Sequence, residues 1–440
     1  MSQDHKIAIV GAGLAGSEAS WQLAERGHAV NLFEMRPVRM TPAHKTGMCA
    51  ELVCSNSFKS RSKENAHGLL KSEMAILNSM ILKTGEKFSV PAGQALAIDR
   101  ELFAKNVSEK LKKHPLITFC NEEITNIGEI IKSYSYVVIA TGPLTSDALS
   151  LSLQEILGEK YLSFYDAISP VVTEESINMN VAFRASRYGR GEDDYINCPM
   201  DFKQYLKFIE GVKNSEKSNL HHFEDLRPFE ACLPIETMIQ RGPDTLRFGP
   251  MKPVGLEHPK TGDHFHAVVQ LRQENTVGSL YNMVGFQTKM TWGAQKKVFK
   301  MIPGLENAEF VRLGSVHRNT FLNSPVLLNS QLSLKSNPKV FFAGQITGVE
   351  GYMESTAMGI IASRYISSNI ENRKIIVPPP ETMIGALLKY ITKSDPKTFQ
   401  PMNANFGLLT PPEQKMRKTE RKNWYAERAL NKITDYSNEI

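Results

Sequence analysis

Four apolar residues stand together at Ile7–Val10, between Lys6 and Gly11. A short, unbroken apolar run reads as a strand buried on both faces, the habit of a parallel sheet. Helical spacing follows over Ser17–Arg26 and stops at Gly27, and a second run, Ala29–Phe33, ends at Glu34. Between the first strand and the helix stand Gly11, Gly13 and Gly16, in G-x-G-x-x-G spacing. The first glycine allows a tight turn, the second lets backbone approach a pyrophosphate, and the third lets the helix pack against the strand. The free N–H groups of a helix start then face an anion. Gly11, Ala12, Gly13, Leu14, Ala15 and Gly16 are therefore the candidate phosphate cradle, and Glu34 is placed to hold a ribose hydroxyl. The stretch suits FAD and NAD equally.

The same logic returns twice. Ser135–Gly142 reads as a strand ending in a second glycine turn at Thr141 and Gly142. Val340–Ala343 reads as a third such strand, followed by Gly344, Gly348 and Gly351 and a helix over Glu354–Ile370. A late strand and glycine turn closing on an N-terminal G-x-G-x-x-G is how a two-dinucleotide FAD fold is completed. No second G-x-G-x-x-G occurs, so a separate NAD domain is not expected. Between these parts, Ala50–Phe58 reads as a turn entering a helix with Asn56 or Ser57 as cap, and Glu64–Lys83 as one helix. Asp99 caps a helix from Arg100, and Ile117–Cys120 is a strand. From about Ala185 the pattern changes to short strand-like runs, prolines and charges, beginning with a charged, glycine-rich joint at Arg187–Asp194 and lasting to about Pro325. The expected class is α/β: a two-dinucleotide-type, Rossmann-like FAD-binding domain over 1–186 and 326–440, with an inserted α+β domain over 187–325. Pro378–Pro380 is a stiff spacer. Glu413–Ile433 reads as a basic helix with Trp424 and Tyr425 interleaved, either a solvated face or a phosphate contact.

Composition narrows this only modestly. With 440 residues, 41% hydrophobic and 22% charged, the chain has room for two domains. No apolar run approaches the ~20 residues of a membrane span, and Lys6 already opens the first strand, so neither membrane nor leader is expected. Five cysteines without a disulfide framework fit a reducing cytoplasm. Cys49 and Cys54 lack paired His or Cys partners, so no metal is expected. A net charge of +6 permits a nucleic-acid partner without requiring one. On residues alone the cysteines are nearly equal candidates for chemistry, with Cys120 the most core-like.

The motifs IVGAGLAGSEA, ELVCSNS, ALAIDR, DYINCPM, FEACLPIE, FGPMKPVGL, NMVGFQT, HRNTFLNSP, FFAGQITGVEGYMES and FQPMNANFGLL are more specific than any glycine fingerprint. Through them nearly the whole chain resembles the bacterial folate- and FAD-dependent tRNA (uracil-5-)-methyltransferases, a family similar to the GidA-type tRNA-modifying flavoproteins. The resemblance implies a methylene group taken from 5,10-methylenetetrahydrofolate, hydride from reduced FAD regenerated by NADH or NADPH, and 5-methyluridine at position 54 of the tRNA T-loop as product. It assigns Cys232 as the nucleophile at uracil C6 and Cys54 as an auxiliary cysteine, with Cys198 as competitor. His317 is the candidate to stack on the pterin, with Arg318 beside it, and Lys252, Arg272, Lys289, Arg417 and Arg421 are the expected RNA contacts. The rival readings are the same chemistry on a 23S ribosomal RNA uridine, and a small-molecule FAD oxidoreductase.

Overall fold

The computed structural model describes residues 5–158, 162–189, 192–217, 233–259, 261–274, 278–397, 399–414 and 416–439. A five-stranded parallel sheet lies at its centre, in the order 340–342, 136–139, 7–10, 30–33, 117–120. Its strands are apolar because both faces are covered. The chain leaves Ile7–Val10 toward one edge and later returns to its other side at Tyr136–Ile139, so strand order reverses beside the first glycine turn. That reversal opens a crevice at the strands' carboxyl ends, where such folds bind ligands.

The first helix begins at Leu14, three residues earlier than the apolar pattern suggested. Gly13 serves as its cap without any side-chain bond, leaving first-turn N–H groups free. A Cβ on Gly16 would lie 1.8 Å from the Gly11 carbonyl oxygen, and one on Gly359 would lie 2.3 Å from that of Ala15. Hence strand, first helix and the long Tyr352–Ile370 helix pack backbone to backbone.

The helix expected over 64–83 is two helices, Ala66–Ile76 and Met80–Lys87. Asn78 turns left-handed at φ +66° and Ser79 caps the second helix. Buried Glu18 accepts from Ser79 Oγ and from the N–H groups of Met80 and Ile81, at 2.8–3.1 Å. This draws the second helix's N-terminus onto the first helix, an attraction that spacing alone does not display. Asn56 and Ser57 cap no helix either. Ser57–Ser60 is a strand antiparallel to Ala95–Ile98, and it buries Phe58 edge-on to Phe103 at 5.6 Å. Asp99 does cap its helix, accepting from Leu102 N–H.

A second sheet is antiparallel, in the order 183–184, 195–200, 267–273, 280–283, 171–173, 310–312. It has its own apolar cluster, including Val172, Cys198, Phe208, Phe286 and Phe299. The paired strands Leu162–Ile168 and Ser315–Phe321 lead into it and out of it. The expected joint at Arg187–Asp194 falls between Phe183–Arg184 and Tyr195–Met200, which pair within this sheet, and Val171–Thr173, before the joint, belongs to the same sheet. The C-terminal helix runs Lys418–Glu439 rather than from 413. Ala426, Ala429, Ile433 and Tyr436 bury one face of it in the main core, and Tyr425 stacks on Phe406 at 5.4 Å.

Candidate active site

The crevice at the sheet reversal is lined by Gly11, Gly13, Leu14, Ala15, Glu34, Arg36, Thr141, Gly142, Gly344, Tyr352 and Ser355. Gly11 has φ +102°, with the Ala140 carbonyl oxygen 2.7 Å from where a Cβ would stand. Gly13 and Gly142 have nothing within 4 Å of theirs, so they leave open space that a side chain would fill. Bare backbone, a free helix N-terminus and reach from Glu34 to Ser355 suit a dinucleotide cofactor such as FAD. Ala12 is buried behind this surface.

Glu34 is more occupied than its sequence position suggests. One carboxylate oxygen accepts from Arg36 N–H and Nε, the other from Ala12 N–H and Arg36 Nη2, all at 2.8–3.0 Å. Burial opposes the charge, but the Arg36 guanidinium overrides it and holds the carboxyl below its usual range. Arg36, two residues beyond the fingerprint, had no motif to announce it. Gly348 does not line the crevice. It has φ +88°, and its Cβ would strike the Phe399 ring at 2.5 Å, so it serves packing. Gly351 lines the neighbouring cavity instead.

That neighbouring cavity shares Val53, Pro143, Leu144, Gln345 and Tyr352 with the crevice. Around it stand Cys54, Ser55, Lys59, His67, Arg272, Asn282 and Glu354. The Tyr352 hydroxyl oxygen accepts from the N–H groups of Cys54 and Ser55, at 3.0 and 3.1 Å, and lies 3.1 Å from Cys54 Sγ. A hydroxyl has two lone pairs and one hydrogen. With both lone pairs taken, its hydrogen points to Sγ, and the phenol donates to the sulfur. Burial, and then Cys54 beside it, raise the Tyr352 phenol well above its usual range.

Arg272, an expected RNA contact, has protein partners. It is buried, and its Nε and Nη2 donate to Asn56 Oδ1 and Ser55 Oγ, each at 2.9 Å. It thus ties the second sheet to the loop that carries Cys54, and burial lowers its pKa. On the opposite wall His67 Nδ1 meets Glu354 at 3.2 Å. Burial pushes the Glu354 carboxyl up, but Lys59 and His67 pull it down to about 2.

The other cysteines separate clearly. Cys198 is fully buried in the second apolar cluster, and burial drives its thiol far up. Cys49 is buried as well, its thiol pushed up to about 11. Cys120, expected in the core, is only half-buried at the sheet edge. Cys232 lies outside the described residues, as do the side chains of His317 and Arg318, whose backbone belongs to the Ser315–Phe321 strand. Lys252, Arg417 and Arg421 are exposed, and Lys289 is half-buried.

Residues 6–374 match the family model described as Glucose inhibited division protein A. The chain is 53% identical over 440 residues to the methylenetetrahydrofolate--tRNA-(uracil-5-)-methyltransferase TrmFO of Syntrophus aciditrophicus (strain SB), covering 100% of this chain and 99% of that one. It is 52% identical over 435 residues to the TrmFO of Desulforudis audaxviator (strain MP104C), covering 98% of each. Its fold is similar to that of Aquifex aeolicus GidA, with a TM-score of 0.71 at 15% identity, covering 99% of this chain and 73% of that one. The chain belongs to the GidA family and, within it, to the group of methylenetetrahydrofolate--tRNA-(uracil-5-)-methyltransferases.

Proposed function

We infer that this protein methylates C5 of a uracil in tRNA, with FAD as its cofactor and 5,10-methylenetetrahydrofolate as one-carbon donor. We propose further that NADH or NADPH is the reductant, that the base is uridine 54 of the T-loop, and that the protein acts in the cytoplasm. The observation that carries the reading is the adjacency of two cavities, one walled by bare glycine backbone and one holding Cys54. Bound FAD supplies the hydride that turns a transferred methylene into a methyl group.

The chain's own residues have the remaining tasks. Gly11, Gly13 and the N–H groups from Leu14 receive the pyrophosphate. Uracil C5 is a weak nucleophile until a thiolate adds at C6, the task we give Cys232 from its FEACLPIE motif. A free thiol of pKa ~8.5 is only a few per cent ionised at neutral pH, so the occupied site must favour the thiolate. Cys54, held by Tyr352, takes the auxiliary part at the C5 proton. The target base must leave the T-loop stack, at a cost of about a few kcal/mol.

The test combines purified protein, FAD, NADH or NADPH, methylenetetrahydrofolate labelled at the transferred carbon, and an unmodified tRNA transcript. Label should enter the tRNA and vanish with Cys232→Ala or with cytidine in place of the T-loop uridine. Label that survives Cys232→Ala moves the nucleophile to another cysteine. Label confined to a ribosomal RNA fragment keeps the chemistry and replaces the substrate.

A further inference from the structure

Most polar side chains around the Cys54 cavity hold one another. Tyr352 holds Cys54, His67 meets Glu354, Gln345 Nε2 donates to Glu350 Oε2 at 2.7 Å, and Arg272 Nη2 donates to Ser55 Oγ. Among the described residues that line the cavity, only Asn282 carries a buried side-chain nitrogen or oxygen without a hydrogen-bond partner. The atom is Nδ2, and the residue is 2% exposed. Asn282 stands on the Leu280–Met283 strand of the second sheet, opposite Arg272 on one side and Val171 on the other. Residues opposite one another in an antiparallel pair put their side chains on the same face. Asn282 therefore lies beside Arg272, which reaches Ser55, the neighbour of Cys54.

A buried amide donor without an acceptor opposes folding, and an apolar side chain of like size would avoid that cost. A bound group that supplies the acceptor removes it. The asparagine side chain offers a donor and an acceptor side by side. This is complementary to a lactam, an N–H next to a C=O in one ring. Uracil carries such an edge at N3–H and O4, and its C4 is bonded to C5, the carbon at which Cys54 is placed above. Thiolate addition strengthens the match. The S–C6 bond forms, the C5–C6 π pair moves to C4–C5, and the C4–O4 π pair moves onto O4, which becomes an oxyanion while N3 keeps its proton. A donor already fixed at O4 in a buried site stabilises that charge.

We propose that Asn282 holds the target uracil by its lactam edge, Nδ2 donating to O4 and Oδ1 accepting from N3–H, with C5 turned toward Cys54. The inference rests on the uracil-methylating reading above and adds a substrate-binding residue to it. Asn282 takes over the bonds that an extruded base gives up along this edge. The pterin of the folate carries a lactam too, so the test separates the two rings.

The test measures methyl transfer from labelled methylenetetrahydrofolate to tRNA by FAD-loaded protein, for wild type, Asn282→Ala and the isosteric Asn282→Asp. In the alanine variant kcat/KM for tRNA should fall about tenfold or more, as for loss of a hydrogen bond to a charged group. It should fall further in the aspartate variant, which sets a carboxylate against the O4 charge. FAD content and the KM for the folate should stay close to wild type. A tRNA joined from synthetic pieces, with 4-thiouridine as the target, supplies a readout that a packing defect does not move. Sulfur is a weak acceptor, so on this substrate the cost of Asn282→Ala should shrink to about twofold. An equal cost on both substrates overturns the contact at O4. A raised folate KM with unaltered kcat/KM for tRNA places Asn282 on the pterin and overturns the assignment to uracil. Loss of FAD from both variants overturns it as well. Wild-type labelling of RNA that neither variant changes overturns this proposal alone, and wild-type protein that labels no RNA overturns the methylation reading with it.

Discussion

Replacing Gly16 by alanine and Gly13 by alanine should separate folding from cofactor binding, although the two glycines sit three residues apart. A methyl group at position 16 would stand 1.8 Å from the Gly11 carbonyl oxygen. An ordinary carbon–oxygen contact is about 3.3 Å, so the first helix would have to retreat by about 1.5 Å. It has little room to do so. The Gly359 backbone already lies against Ala15, and a Cβ on Gly344 would be 2.8 Å from the Ala15 side chain. Overpacking of this kind costs about 1–3 kcal/mol and more where backbone must move. We expect Gly16→Ala to lose about 3 kcal/mol, a large part of the usual margin of about 5–15 kcal/mol. At position 13 nothing lies within 4 Å of the added methyl, which projects into the cofactor crevice. Gly13→Ala should hold apoprotein stability to within about 1 kcal/mol while weakening FAD at least about tenfold, the factor that accompanies about 1.4 kcal/mol. Urea unfolding of flavin-free protein, followed by circular dichroism and by Trp21 fluorescence within that helix, reads the first quantity. FAD titration reads the second. Equal destabilisation by both variants, or wild-type stability and FAD affinity for Gly16→Ala, would refute the reasoning.

Other outcomes follow from the cavity around Cys54. Tyr352→Phe strands the N–H groups of Cys54 and Ser55, at about 1–3 kcal/mol each when no water replaces the phenol; hydrogen exchange at those two amides should accelerate, and unchanged protection would contradict the bonding described. Glu354 has a folded-state pKa of about 2 against an ordinary 4.5, so its contribution of about 3 kcal/mol is present above pH 4.5 and disappears as pH falls toward 2. Glu354→Gln should flatten the acid limb of the stability curve, and an unaltered limb would place the acid sensitivity elsewhere. Arg272→Met should destabilise by about 3 kcal/mol and impair methyl transfer while leaving the salt dependence of tRNA binding intact. Arg421→Ala should instead lower that salt slope by about 1 with stability unchanged; the reverse pattern would restore Arg272 as an RNA contact.

Local order along the chain was enough to announce the nucleotide fold. Ile7–Val10, the spaced glycines, the helix and Val30–Phe33 are neighbours in sequence, and steric and hydrogen-bonding rules act at that range. The Asp99 cap and the late glycine turn were legible for the same reason. What tertiary structure alone decided involves partners far apart in the chain. Glu18 splits a helix more than 60 residues away by accepting its N–H groups. Arg272 looks like a surface cation until its partners Asn56 and Ser55, over 200 residues earlier, bury it. Gly348 resembles its phosphate-binding neighbours until the Phe399 ring arrives beside it. Tyr352 becomes part of the Cys54 site only when its helix docks across the crevice. Glycine turns and caps are specified by a few residues' own backbone energetics. Burial, counter-charge and hydrogen-bond direction depend on which distant groups meet, and those become visible only once the two sheets are assembled.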